Sequence, residues 1–255
     1  MKEFFGFGGY TRQPEGYFSW QHLLFVTSLV AVMIALAVIL GLRNRKKTLR
    51  QKNRVLIVSA IAIDTVELAK ILLMCIRSGD PMDWIYNLPL FLCSVQLITI
   101  PLAAFSKGRI REAALDFVSI FGLLGALLGT YAAGNNYSAY PVLSLDNVSS
   151  GITHCISGFC ALYIFISGMA SMKKENIGIC FVILLSCCVM AYIANLLMDG
   201  NYMFLMAGDG TPYDILYNLV NGNRILYPLG VVVLFLLYIT AFYKGFYFFQ
   251  KKSAQ

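Results

Sequence analysis

Seven long apolar runs constrain the fold of this chain more than any other feature of its sequence. Each holds about 20 residues, and a helix of that length crosses about 30 Å of hydrocarbon at about 1.5 Å per residue. Helices satisfy their own backbone hydrogen bonds in lipid, where no water is present to do so. The fold class is therefore predicted to be all-α: a polytopic membrane helical bundle of seven transmembrane helices in a single domain over residues 1–255, with spans near 19–42, 55–77, 88–105, 113–133, 150–171, 177–198 and 225–249.

The charged residues predict how this bundle is oriented. The chain is 58% hydrophobic and 13% charged, which excludes an ordinary soluble domain. Most of its 20 lysines and arginines lie in alternate loops and at the C-terminal end. Because basic loops stay in the cytoplasm, we expect the N-terminus outside and the C-terminus inside a cell membrane. This topology accounts for the net charge of +7 without a nucleic-acid partner; membrane lipid is the partner that we expect.

Polar residues in the predicted spans gather near the outer surface. Counting helix rise from each outer end places His22, His154 and Cys93 at similar depths, about one turn or slightly more inside. Ionisable groups within a span cost a few kcal/mol each and usually face a cavity or pathway. We therefore predict a polar cavity near the outer leaflet that binds a lipid or a small polar ligand, with these candidate binding residues: His22, Asp64, Glu67, Lys70, Asn195 and Arg224.

The charged residues of the second and fourth spans have alternative explanations. Asp64, Glu67 and Lys70 are three residues apart, so Glu67 can pair with either neighbour on one flank of a helix. The triplet either lines a ligand path or forms a structural ion pair between helices. Asp116, near the inner end of the fourth span, is expected to pair with Arg109 or Arg111.

Cys93 and His154 are the candidate catalytic residues. The third span is predicted to begin near Leu88, with Pro89 in the first helical turn, where its missing N–H costs little. An imidazole close to a thiol can take its proton and so create a thiolate nucleophile. Alternatively, Cys93 is a buried thiol that packs as a small apolar group, and His154 anchors loop backbone.

No cofactor and no metal site are predicted. Two histidines without a cluster of carboxylates are not typical of a zinc site, and the seven cysteines contain no CxxC pair. The sequence also has no glycine-rich phosphate loop and no nucleophile elbow.

Four short motifs resemble those of a known family. They are residues 18–22 (FSWQH), 88–94 (LPLFLCS), 152–154 (ITH) and 201–205 (NYMFL). In this order they resemble the YwaF family of bacterial multi-pass integral membrane proteins, which is similar to a eukaryotic group that includes an acyltransferase acting on ether phospholipids. The resemblance implies a bacterial plasma membrane and a lipid-directed activity. Phe91 stands where the family motif usually has a histidine, which strengthens the alternative of a non-catalytic member.

Three functions follow from these observations. The first is a lipid acyltransferase or hydrolase in which Cys93 is the nucleophile and His154 the general base. The second is a small-solute carrier with a 3+1+3 arrangement of helices, for which the similar starts of the first and fifth spans, at residues 19–22 and 151–154, give faint support. The third is a binding protein whose cavity holds a lipid without changing it.

Overall fold

The computed structural model describes residues 2–253, and every regular element in that range is helical. Three 3₁₀ turns, Asp83–Asn87, Lys174–Asn176 and Tyr202–Phe204, lie between longer helices. The α-helices are α1 (Lys2–Phe5), α2 (Trp20–Asn44), α3 (Leu49–Ser78), α4 (Gln96–Phe105), α5 (Gly108–Tyr131), α6 (Gly134–Ala139), α7 (Leu145–Ile166), α8 (Ile177–Met198), α9 (Tyr213–Leu219) and α10 (Leu226–Ser253). The predicted all-α class is confirmed for the described residues.

Five helical segments of the described chain are long and apolar enough to cross a membrane: Trp20–Asn44, Gly108–Ala139, Leu145–Ile166, Lys174–Met198 and Leu226–Lys251. Helix α3 is 30 residues long, but its charged side chains keep it outside this group. Helix α4 is apolar but has 10 residues, about half the length that a span requires. The chain is a multi-pass membrane protein, while the count of seven spans and the orientation stay predictions.

The third apolar run departs from the prediction. Residues 88–95 form turns, and α4 begins only at Gln96, so Pro89 does not occupy a first helical turn. Leu88 is extended, with φ −63° and ψ 145°, because a residue before proline is excluded from the helical region. Its N–H is donated to the Tyr202 hydroxyl at 3.3 Å, which ties the segment to the loop after α8. Cys93 therefore lies on a non-helical stretch.

Helix α5 is the centre of the bundle because several of its faces are buried. Phe117 and Phe121 pack in a core shared with α8 and α10, and Val118 packs in a second core with α3, α4 and α7. Ala126 packs with α2 and α7 in a third. The outward faces of α2, α8 and α10 carry exposed leucines such as Leu197, as expected of surfaces that meet lipid.

Side-chain caps fix the starts of the helices that carry the candidate residues. Ser19 accepts the His22 N–H at 3.2 Å and begins α2. Thr48 and Gln51 form a capping box at the start of α3, which satisfies backbone donors that have no helical partner. Ser144 caps α7 in the same way, through the Asn147 N–H. These caps set where each helix begins, and hence where Glu67, Lys70 and His154 fall along their helices.

Candidate functional site

Four of the eight predicted site residues line one cavity of about 60 Å³. Helix α3 provides Glu67 and Lys70, the turn segment before α4 provides Cys93, and α7 provides His154. The remaining lining residues are Ile63, Ser94, Leu97, Ser150, Thr153 and Ser157. We call this space the Cys93–His154 cavity. Its walls come from three separate parts of the chain, which the packing of α3, α4, α5 and α7 brings together.

Two glycines of α5 make room for the thiol and the imidazole. Gly125 and Gly129 are four residues apart and so lie on the same face of the helix. A Cβ atom at Gly125 would be 3.5 Å from the Cys93 Cβ, which is an ordinary van der Waals contact. A Cβ atom at Gly129 would overlap the His154 ring, whose Cε1, Nε2 and Nδ1 are its nearest atoms. The His154 imidazole therefore rests directly on α5 backbone, one turn from Cys93.

The cavity contains an ion pair within α3. The Lys70 ammonium donates to Glu67 Oε1, and both side chains are less than a fifth exposed. The structural explanation for the triplet was an ion pair between helices, and the functional one was the lining of a ligand path. The observed pair lies within one helix, and both of its side chains line the cavity, whereas Asp64 is not among the lining residues. A paired lysine in a confined polar space can attract a phosphate or a developing oxyanion.

Cys93 and His154 share the cavity without bonding to each other. The Cys93 sulfur forms a long contact with the Ser94 hydroxyl, at 4.0 Å. No hydrogen bond joins Cys93 to His154 among the contacts of the described residues. In ligand-free enzymes such bonds are often long and form fully only with substrate, so a bound substrate would have to bring these two side chains together.

The structure places His22 in a packed structural role away from this cavity. It is fully buried, and its Nδ1 accepts the Phe18 N–H at 3.2 Å. The proton is therefore on Nε2, which donates to the Thr130 carbonyl at 3.1 Å. The ring also lies on Tyr137, with centroids 3.9 Å apart. With both nitrogens and one face engaged inside the protein, His22 joins α2 to the end of α5.

Asn195 and Arg224 also lie outside the cavity. Asn195 accepts the Tyr202 N–H at 2.6 Å and donates to the Tyr202 carbonyl at 3.0 Å. The Tyr202 hydroxyl in turn donates to the Ile85 carbonyl at 3.2 Å, and burial raises the pKa of Tyr202. Asn195 thus braces the segment that leads to Cys93. The exposed Arg224 offers its backbone carbonyl to the Tyr192 hydroxyl at 3.4 Å.

Phe91, at the position where the motif usually has a histidine, does not line the cavity. Its ring packs against Tyr202, with centroids 5.2 Å apart, and against Phe204 at 6.1 Å. Phe91 therefore contributes to the contact between the turn segment and the outer loop.

Asp116 is not the partner of an arginine, contrary to the prediction. It is fully buried, and Oδ1 accepts the Met172 N–H at 2.9 Å. Oδ2 accepts from the Asn176 amide at 2.8 Å and from the Tyr243 hydroxyl at 2.9 Å. These donors come from the loop after α7 and from α10, which are distant in sequence. Arg109 and Arg111 donate instead to the Glu175 carbonyl and to the Asn53 side chain.

The structure contains an ion pair, between the end of α3 and the start of α7, that the sequence did not predict. Arg77 holds Asp146 through two hydrogen bonds, at 2.7 and 2.9 Å, and so joins the end of α3 to the start of α7. Tyr10 donates to the same carboxylate at 2.5 Å, and burial, followed by this hydrogen bond, raises the pKa of Tyr10 to about 12. Opposite charges at two predicted outer span ends were the available signal for the Arg77–Asp146 contact.

No group of three or more His, Cys, Asp and Glu side chains that could hold a metal occurs in the part of the chain that the structure describes. The lining side chains of the cavity provide a thiol, an imidazole, an ammonium, a carboxylate and several hydroxyls.

Comparisons with known proteins identify a family for this chain but no activity. No curated protein matches the chain, and no solved structure matches it. The YwaF resemblance and a bacterial origin stay predictions. The model of the TMEM164 family matches residues 17–244, which include every lining residue of the Cys93–His154 cavity, and the chain belongs to that family.

Proposed function

We propose that this membrane protein is a lipid acyltransferase or hydrolase in which Cys93 attacks an acyl ester and His154 takes the thiol proton. The observation that carries the proposal is the shared lining of one cavity by these two side chains, although they come from segments 61 residues apart. The YwaF-type resemblance, through the similar acyltransferase group, points to the same chemistry.

The reaction divides into two steps at the cavity. In the first, the Cys93 sulfur adds to the ester carbonyl while His154 accepts its proton; the lysolipid alkoxide then leaves with that proton, and a thioester remains on Cys93. In the second, His154 takes a proton from an acceptor hydroxyl, which attacks the thioester and restores the thiol. A lysolipid acceptor gives acyl transfer, and water gives hydrolysis.

The charged pair in the cavity has a defined place in this scheme. The Lys70 ammonium would stabilise the negative oxygen that develops as the sulfur adds to the carbonyl. Glu67, which accepts a hydrogen bond from Lys70, would hold the ammonium in position between turnovers. Removal of the Lys70 charge should therefore lower the rate of the chemical step more than it weakens binding of the substrate.

The size of the cavity limits what enters it. At about 60 Å³ it is far below the roughly 300–1,000 Å³ of pockets that enclose a whole ligand. It accommodates an ester group, so the acyl chains would remain in the bilayer. We further propose that the cavity faces the outer leaflet of the bacterial plasma membrane, in a seven-span bundle with its N-terminus outside.

The test is acyl exchange by the purified full chain in phospholipid vesicles, with a labelled diacyl phospholipid as donor and a lysophospholipid as acceptor. Cys93→Ala and His154→Gln should each lower the rate by at least 100-fold, a scale typical of loss of a nucleophile or its base. Cys155→Ala is the matched control, because Cys155 adjoins His154 on α7 but does not line the cavity.

The other candidate functions are outcomes of the same test. Full activity of Cys93→Ala would refute thiol catalysis. If the wild-type protein exchanges no acyl group but binds the lipid, it is a binding protein; if vesicles take up a solute instead, it is a carrier.

A further inference from the structure

A second concave site, separate from the Cys93–His154 cavity, lies at the C-terminal end of α10. It is an open surface groove lined by Lys174, Lys244, Tyr247, Gln250 and Lys251. We call it the basic pocket. Lys174 comes from the 3₁₀ turn between α7 and α8, whereas the other four residues lie on one face of α10. It shares no lining residue with the Cys93–His154 cavity.

Helix geometry places the basic pocket at a membrane surface. Lys244 is 18 residues beyond the start of α10 at Leu226, which corresponds to about 27 Å of helix. Hydrocarbon is about 30 Å thick, so Lys244 reaches its boundary and Lys251 lies in the headgroup layer. Phe248 and Phe249 are about two-thirds exposed next to the pocket, as expected of aromatic rings in the interface.

Three ammonium groups and no carboxylate line the pocket. The ion pairs seen among the described residues engage other lysines, Lys70 and Lys173, and leave these three lysines without a carboxylate partner. The Lys174 ammonium lies over the Tyr247 ring, 5.4 Å from its centroid, and the Tyr247 hydroxyl donates to the Met172 carbonyl. Tyr247 thereby holds a lysine of the loop beside the lysines of α10.

Favourable contact with the helix dipole does not explain the whole arrangement. Cations near a helix C-terminus are stabilised by the terminal carbonyls, and this accounts for Lys251. It does not account for Lys244, two turns from the end of α10, or for Lys174, which belongs to another element. The bias of basic residues to the cytoplasmic side explains the side of the membrane on which these lysines are expected, but not their position around one groove. The three lysines are exposed, so water screens much of their mutual repulsion, and an anion bound between them would be attracted by all three.

We propose that the basic pocket binds the anionic phosphate headgroup of a membrane lipid. The positive charge of the pocket suits a headgroup with a net negative charge, and its position along α10 matches the headgroup layer. The acyl chains of such a lipid would lie along the exposed apolar side of α10. This inference does not depend on the chemistry proposed for Cys93.

The experiment is native mass spectrometry of the purified full chain in detergent, titrated with dioleoyl phosphatidylglycerol or with dioleoyl phosphatidylcholine. Each lysine near a lipid surface contributes about fivefold to binding of an anionic lipid, so Lys174→Gln, Lys244→Gln and Lys251→Gln together should weaken phosphatidylglycerol binding about 100-fold. Binding of phosphatidylcholine should stay unchanged. Glutamine has a helix propensity close to that of lysine, so the fold should be retained, which circular dichroism checks.

The control removes the same charge elsewhere. Lys46, Lys47 and Lys107 are exposed, lie on the same predicted side of the membrane and do not line the pocket, and their glutamine variants should retain phosphatidylglycerol binding. Equal losses in the two triple variants would overturn the proposal, since they would show a general effect of charge. Unchanged binding in the pocket variant would also overturn it, as would displacement of the lipid by inorganic phosphate at equal concentration.

Discussion

Replacement of Gly129 by alanine should strongly lower the acyl-exchange rate at the Cys93–His154 cavity without unfolding the protein. The added methyl group would overlap three ring atoms of His154, so the imidazole must move by about 1 Å to restore van der Waals distance. A displacement of about 1 Å at a catalytic group can cost about 100-fold in rate, which corresponds to about 2.7 kcal/mol of barrier. We therefore expect acyl exchange by Gly129→Ala to fall about 100-fold.

The cost in stability should be much smaller than the loss of rate suggests. Overpacking costs about 1–3 kcal/mol, and replacement of glycine by alanine within a helix returns about 1 kcal/mol. A net loss of about 0–2 kcal/mol leaves a protein of ordinary stability folded. Thermal unfolding in detergent, followed by circular dichroism, measures this loss of stability, and the acyl-exchange rate per folded molecule is measured separately.

Gly125→Ala is the matched control, because it is the same change one turn away on the same face of α5. Its new methyl group would lie 3.5 Å from the Cys93 Cβ, a normal contact, so its exchange rate should stay within a few-fold of wild type. Wild-type activity in Gly129→Ala, or an equal loss in both variants, would refute the assignment of His154 to the reaction.

Three further predictions concern contacts that support the bundle. Asp116→Ala leaves several buried donors without an acceptor and should lower the free energy of unfolding by on the order of 3 kcal/mol. Glu112→Ala breaks an exposed ion pair and should lower it by less than about 1 kcal/mol. Denaturant titration measures both changes. The pKa of Tyr10 is raised in the folded protein, so the contribution of Tyr10 to the free energy of unfolding is complete below a pH of about 10 and is lost as the pH rises through about 12. Over this pH window, the melting temperature of the wild type should fall more steeply than that of Tyr10→Phe. Asn195→Ala removes both hydrogen bonds to Tyr202 and should increase hydrogen exchange in residues 85–95, and unchanged exchange there would contradict the bracing role.

The sequence predicted the helical segments well because apolar run length is a local property. Each of the seven predicted spans contains a helix of the structure. The exception is the outer half of the third run, where Pro89 prevents a helical Leu88 and a distant hydroxyl, that of Tyr202, takes the Leu88 N–H. The proline was visible in the sequence, but its partner in the outer loop was not.

Depth along each helix narrowed the choice of site residues but did not determine which of them meet. His22, His154 and Cys93 have similar predicted depths, yet His154 and Cys93 line the cavity and His22 packs between α2 and α5. The rotation of each helix and its neighbours decide this, and they depend on contacts between residues far apart in sequence. The role of Gly129 under the His154 ring likewise follows only from the packing of α5 on α7.

The same limit explains the error at Asp116. A carboxylate near arginines at a span end is usually read as their partner, since the charges are complementary and close in sequence. Its actual donors, among them Met172 and Tyr243, come from a loop and a helix that are 56 and 127 residues away. Arginine at this end of α5 instead finds backbone and amide oxygens.

The most direct test of the account is detection of an acyl group on Cys93. Purified protein in vesicles is mixed with a diacyl phospholipid, quenched in acid within seconds, digested and analysed by peptide mass spectrometry. We expect an acyl thioester on the peptide that contains Cys93, and we expect it to be lost when a lysophospholipid acceptor is added before the quench. Turnover of the lipid with an unmodified Cys93, or with the acyl group on another cysteine such as Cys155, would contradict it.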